Sequence, residues 1–152
     1  MLVRKTIPVL AAMAVMWAAP PWASSGGDPA QEVLALERQA MDGWQNGNPD
    51  PQLAISDPQI TYIHAVVEKR LEGLPALKEL YEQYRGTPLF DSYEILNPKV
   101  QATGDLAVLT YELLRRNGSA TTYWNATQVY CRKKEGWRII HTHWSAAKEQ
   151  QQ

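Results

Sequence analysis

The sequence predicts an α+β domain, a curved and mostly antiparallel sheet with helices packed on one face. Three observations carry that expectation. The stretch from Asn97 to Ser145 reads as four strands joined by tight turns. Asn117-Gly118 sits between two alternating runs, the strongest short-range hairpin signal. Gly104-Asp105 and Glu135-Gly136 mark two further reversals, because Gly tolerates the positive φ they need. Upstream, helical and strand patterns do not alternate as βαβ units, which argues against a doubly wound parallel sheet. A one-sided antiparallel sheet is the economical arrangement for such an order.

The chain has 152 residues and one cysteine, enough for one domain with a single core. Residues 1–25 do not belong to that domain. Arg4 and Lys5 precede an uncharged apolar run, Thr6 to Ala19, then Pro20-Pro21 and small residues at Ala23, Ser24 and Ser25. That three-part pattern is a secretory signal peptide, and the run is short for a bilayer span. Residues 26–147 are the folded domain, and 148–152 a polar tail. Export across the inner membrane to a bacterial periplasm follows as the expected address. Losing Arg4 and Lys5 from 15 basic residues leaves 13 against 16 acidic ones, a net charge of −3. A mildly acidic chain without a basic run is a poor binder of nucleic acid or anionic membranes, so neither is an expected partner. Cys131 stands alone, so no intrachain disulfide forms, and a buried inert thiol is expected.

Asp28-Pro29 opens the first helix: Asp is a good N-cap, Pro suits the first turn, and Gln31 can complete a capping box. Val33, Leu34, Leu36, Ala40, Met41 and Trp44 give it an apolar stripe. Gly47-Asn48-Pro49 ends it, and a short helix follows from Asp50 to about Ile55. Gln59 to Ala65 reads as a strand, with Val66 to Leu71 pairing back or continuing. Gly73-Leu74-Pro75 opens a third helix striped by Leu74, Leu77, Leu80, Tyr81 and Tyr84. Phe90 to Ala102 is a long strand interrupted at Asn97-Pro98, where an edge or a bulge is expected because Pro cannot donate to a ladder.

Asn97-Pro98-Lys99-Val100, Gly104-Asp105-Leu106-Ala107, Thr127-Gln128-Val129-Tyr130 through Trp137, and Ile140-His141-Thr142-His143-Trp144-Ser145 form a recognisable series. Trp44-Gln45-Asn46-Gly47 and Leu71-Glu72-Gly73 fit the same template. With these residues the chain resembles the SnoaL-like branch of the nuclear transport factor 2-like superfamily. It is especially similar to the association (hub) domain of calcium/calmodulin-dependent protein kinase II and its secreted bacterial relatives. The resemblance implies a cone, or cystatin-like roll, in which a strongly bent sheet wraps a long N-terminal helix and leaves a pocket at the open end. It also implies a homodimer formed through the outer face of the sheet. No kinase activity follows, and the fold by itself does not choose a function.

Strand alternation assigns the faces. Ile140, Thr142 and Trp144 are expected on one side of the last strand, with Ile139, His141, His143 and Ser145 on the other. Trp124, Ala126, Gln128 and Tyr130 oppose Tyr123, Asn125, Thr127 and Val129, while Tyr111 and Leu113 share a side. The hub's pocket arginines resemble the positions of Leu113, Gln128 and Trp144, so the resemblance implies an apolar, aromatic pocket with one amide rather than an acid-binding one. The candidate ligand contacts are Trp44, Leu77, Tyr111, Leu113, Trp124, Gln128 and Trp144, with a small apolar or aromatic molecule as the expected ligand.

His64 is the sharpest catalytic candidate, with Tyr62 beside it. Ketosteroid isomerase-like members carry an acidic base followed by Pro at this place; here the pair is His64-Ala65. An imidazole can move protons near neutral pH, but no acidic partner is identifiable nearby in sequence, and a hydrogen-bonded pocket histidine without a chemical role is the simpler reading. His141 and His143, at i and i+2, point the same way and could hold a metal, yet a third ligand is missing, so no metal or cofactor is expected. Two functions remain open. One is an exported binding or dimeric assembly module; the other is an isomerase, cyclase or lyase acting on a small carbonyl compound through His64.

Overall fold

The computed structural model describes residues 27–148. The expected signal peptide and all of the expected tail except Lys148 lie outside the described residues. In chain order the elements are α1 (Pro29–Gln45), α2 (Asp50–Ala54), β1 (Ser56–Ile63), β2 (Leu71–Glu72), α3 (Leu74–Glu82), β3 (Ser92–Thr103), β4 (Leu106–Asn117), β5 (Ala120–Lys133) and β6 (Gly136–Ala147). The six strands form one sheet in the order β2-β1-β6-β5-β4-β3. All pairings are antiparallel except β1 with β6, which run parallel. This is the α+β cone that the sequence predicts, with α1 lying across β3 and β4.

The three hairpin signals mark the β3–β4, β4–β5 and β5–β6 reversals. Asn97-Pro98 does both things expected of it: β3 is an edge strand, and its register shifts between Leu96 and Lys99, where Asn97 takes a φ of 48°. Asp28 caps α1 by accepting the Ala30 N–H at 3.1 Å. The capping box with Gln31 does not form; Gln31 is exposed and makes no side-chain hydrogen bond among the described residues.

Four further expectations need correction. β1 begins at Ser56 and ends at Ile63, so His64 sits just past the strand rather than in it. The anticipated return arm shrinks to Leu71–Glu72, which pairs with Tyr62 and Thr61. On β6, Ile139 belongs with Thr142 and Trp144 inside. A register shift between Val129 and Tyr130 inserts one residue opposite β5, and an inserted residue flips the alternation across it. Cys131 is half-buried rather than buried, because it follows inward-facing Tyr130 and so faces outward.

Gly47 holds the end of α1 against the loop before β3. Its φ is +69°, and an added Cβ would lie 2.8 Å from the Thr87 nitrogen. Its carbonyl accepts the Gly86 N–H at 2.8 Å, and Trp44's accepts the Leu89 N–H at 3.2 Å. Leu89 and Phe90 are thereby brought alongside Trp44.

The stripe that α1 buries is Val33, Glu37, Ala40, Met41 and Trp44, with a carboxylate in its middle. Glu37 is completely buried. Tyr111 Oη and Gln128 Nε2 donate to its Oε1, the latter at 2.6 Å, and Tyr130 Oη donates to its Oε2 at 2.8 Å. Thr142 Oγ1 in turn donates to Gln128 Oε1 at 3.3 Å. One acidic side chain thus ties the helix to β4 and β5.

Burial pushes the Glu37 carboxyl above its ordinary value of 4.5, against the downward pull of the Tyr111 and Tyr130 hydrogen bonds. The folded state therefore holds this proton to higher pH than the unfolded chain does, and stability falls as pH rises through that interval. The difference in unfolding free energy between wild type and Glu37→Gln should decline as pH rises from about 4.5, by at most about 1.4 kcal/mol per pH unit. Urea titrations across that range measure it, and a difference that grows with pH would show a depressed carboxyl instead.

Candidate functional site

At the open end of the cone lies a cavity of about 210 Å³, bounded by α1, α2, α3 and the sheet. An engineered cavity of about 150 Å³ suffices for benzene, so this space is of one-ring size. Trp44, Tyr62, Tyr81, Phe90, Trp124 and Trp144 supply its aromatic wall. Trp44 meets Tyr81 edge-on at 4.7 Å, and Tyr81 meets Tyr62 the same way at 5.8 Å. Such edge-to-face contacts add about 0.5–1.5 kcal/mol each beyond burial. Burial pushes both the Tyr62 and the Tyr81 phenols above their ordinary value, so neither is a ready proton donor.

Among the described residues, two basic side chains on the sheet side line this space. Arg115 is the first. It follows Tyr111 and Leu113 on the inner side of β4, with its guanidinium 4.8 Å from the Trp124 ring and 5.9 Å from Phe90. It makes no ion pair or side-chain hydrogen bond with any described residue. Burial pulls its pKa down, but a guanidinium stays charged. Contact with aromatic faces returns about 0.5–2 kcal/mol of the lost hydration, and no carboxylate among the described residues neutralises it.

His64 is the second. Its ring stacks on Trp124 at 4.9 Å and runs parallel to Tyr62 at 5.9 Å. The Val66 N–H donates to its Nδ1 at 3.1 Å. A backbone N–H only donates, so Nδ1 is the acceptor and the proton of the neutral ring rides on Nε2. Burial first, then the Arg115 charge, holds its pKa below the ordinary 6.5. The lone pair that a general base needs is therefore engaged, and the imidazole is left as a hydrogen-bond donor.

Gln52 joins them from α2. It is 3% exposed and lines the cavity. The Ser56 hydroxyl donates to its backbone carbonyl at 2.8 Å, but its side-chain amide has no partner among the described residues.

Of the residues singled out from sequence, Trp44, Tyr62, His64, Leu113, Trp124 and Trp144 meet at the cavity. Three do not. Tyr111 and Gln128 face the interior, as alternation requires, but their polar atoms are spent on Glu37 beneath the cavity floor. Tyr111 stands edge-on behind Trp144 at 5.8 Å. Leu77 is buried in the core. The expected single amide is thus present, but it is Gln52 and not Gln128.

Sequence reasoning missed Arg115, Glu37 and Gln52. Following the Tyr111–Leu113 face two residues further reaches Arg115. The spacing from Val33 to Ala40 and Trp44 places Glu37 in the buried stripe. No local signal marks Gln52. His141 and His143 lie on the outer side, where Thr61 Oγ1 sits 2.7 Å from His141 Nδ1. Among the described residues no three His, Cys, Asp or Glu side chains converge on a metal position.

An NMR titration should find His64 protonating below 6.5, with its neutral-ring proton on Nε2. Replacing Arg115 with Gln should raise that pKa, since a neighbouring positive charge is removed. A pKa that falls or stays put would show that Arg115 does not act on the ring.

The chain matches the family model of the calcium/calmodulin dependent protein kinase II association domain over residues 29–148. No curated protein matches it. Among solved structures it is similar to a candidate ketosteroid isomerase from Parabacteroides distasonis, with 30% identity, a TM-score of 0.72, and coverage of 80% of this chain and 90% of that one. A nuclear transport factor 2-like protein of unknown function from Pseudomonas putida shares 25% identity, with a TM-score of 0.70 and coverage of 82% and 92%. The kinase II hub homology domain of a Chlamydomonas alga shares 26% identity, with a TM-score of 0.65 and coverage of 80% and 100%.

Proposed function

The chain belongs to the calcium/calmodulin dependent protein kinase II association domain family, within the nuclear transport factor 2-like superfamily, and from that premise we propose that it is an exported binding module for a small aromatic acid. One observation carries this reading. A permanently charged guanidinium lies half-buried in an aromatic cavity, with no anion among the described residues to neutralise it. Burying an unpaired charge is costly, and a ligand carboxylate would satisfy it. The Nε2–H of His64 is a further donor for such a group. This reverses the sequence-based expectation of an uncharged pocket: the cation enters at Arg115, not at the positions of Leu113, Gln128 and Trp144.

The carbonyl isomerase, cyclase or lyase reading has less support. One solved relative is a candidate ketosteroid isomerase, but His64-Ala65 replaces the acid-Pro pair, and Nδ1 of His64 is already engaged. A one-ring cavity also does not enclose a fused four-ring substrate.

As assembly, we read the protein as a homodimer joined through the outer face of the sheet, where His141 and His143 lie. The address remains the periplasm, after loss of residues 1–25. Mass spectrometry of protein recovered from the periplasm reads the cleavage, and light scattering on the same sample should give twice the chain mass or a larger ring. A monomer removes the assembly part.

Calorimetry should show benzoate binding at least about tenfold more tightly than benzyl alcohol. Arg115→Met should cost about 10- to 100-fold in benzoate affinity, the worth of a charge-assisted hydrogen-bonded contact. Equal affinities for acid and alcohol, or an unaffected variant, would remove the acid-binding reading.

A further inference from the structure

The side-chain amide of Gln52 carries two donors and an acceptor. The residue is 3% exposed and lines the cavity, and its amide makes no hydrogen bond to another described residue. Among the described residues the buried polar atom without a partner is Trp124 Nε1, so the Gln52 amide is not sealed in the packing and is open to whatever fills the cavity. The backbone around it is fixed. Pro49 and Pro51 frame the start of α2, Asn48 Oδ1 accepts the Asp50 N–H at 3.0 Å, and Ser56 Oγ donates to the Gln52 carbonyl. The side chain is therefore presented to the cavity from a constrained turn rather than a mobile loop. It also belongs to the helical wall, whereas Arg115 and His64 belong to the sheet and the segment just after β1. The space has two polar points on different walls, with aromatic surface around them.

We propose that Gln52 is a specificity residue that reads a second polar group on the ligand. The ligand class is then a one-ring carboxylic acid bearing a ring hydroxyl or carbonyl, in preference to an unsubstituted or alkyl-substituted ring. This rests on the acid-binding reading: Arg115 takes the carboxylate, and Gln52 takes the substituent. A hydroxyl suits the amide well, since each partner both donates and accepts. The contribution lies in discrimination. A site built to hydrogen-bond a hydroxyl rejects the analogue lacking it, because the amide is left unpaired.

The test compares each hydroxybenzoate with the methylbenzoate of the same substitution, so that size is matched and only polarity differs. At least one hydroxybenzoate should bind the wild-type protein about 5–10-fold more tightly than its methyl counterpart, the range expected for one hydrogen bond. In Gln52→Met that ratio should fall to about one. If benzoate binds but no hydroxybenzoate outcompetes its methyl partner on wild-type protein, the role of Gln52 is overturned while that of Arg115 stands. A preference that survives in Gln52→Met overturns it equally. If no carboxylate binds wild type at all, the reading at Arg115 fails and this inference fails with it. The wild-type comparison needs no variant, so a poorly folding Gln52→Met leaves the proposal exposed to refutation.

Discussion

The fold turns on a buried carboxylate. Glu37 sits in the apolar stripe of α1 and collects hydrogen bonds from Tyr111, Tyr130 and Gln128 on two adjacent strands. A group of this kind is destabilising unless fully paired and strongly orienting once it is. Its three partners leave little freedom in how the helix lies across the sheet, and Thr142 extends the network to a third strand. The same network decides which inward residues can serve a ligand. Side chains at the level of Glu37 are committed to the helix; those one step nearer the open end are free.

That division explains the character of the cavity. Trp144 and Trp124 line it while Tyr111 and Gln128, on the same inner face, do not. Polar capacity at the mouth comes from elsewhere: Arg115 at the far end of β4, His64 just past β1, and Gln52 on α2. In the aromatic surroundings the guanidinium is poorly hydrated, and burial first, then the field of this neighbour, lower the His64 pKa. The backbone N–H of Val66 completes the assignment by occupying Nδ1. Arg115 thus offers a charged donor and His64 an Nε2–H donor on the same side of the cavity.

The family likeness of this chain is one of shape. The hub-like template leads to Leu113, Gln128 and Trp144, and two of these three line the cavity without charge. A single charged side chain on the inner side of β4, Arg115, lies two residues beyond Leu113 on the same strand face and lines the cavity. The charge thus sits among Trp124, Phe90 and His64.

The amino-acid sequence by itself determined what depends on local spacing. The three Gly-bearing turns set the β3–β6 meander, Asn97-Pro98 set the edge irregularity, the Asp28 cap set the start of α1, and alternation set the inward side of β4 and β5. Only the tertiary structure decided what depends on which distant groups meet. The β6 register shift cannot be read from the strand alone, and it moved Ile139 to the inside. Glu37 looks like an interruption in an apolar stripe until three donors far along the chain converge on it. Gln128 looks like a ligand contact until Glu37 claims it, and Gln52 looks like an ordinary polar helix residue until the fold turns it to the cavity. Periodicity reports the direction of a side chain; whether its polar atoms are already spoken for is a property of the whole packed interior.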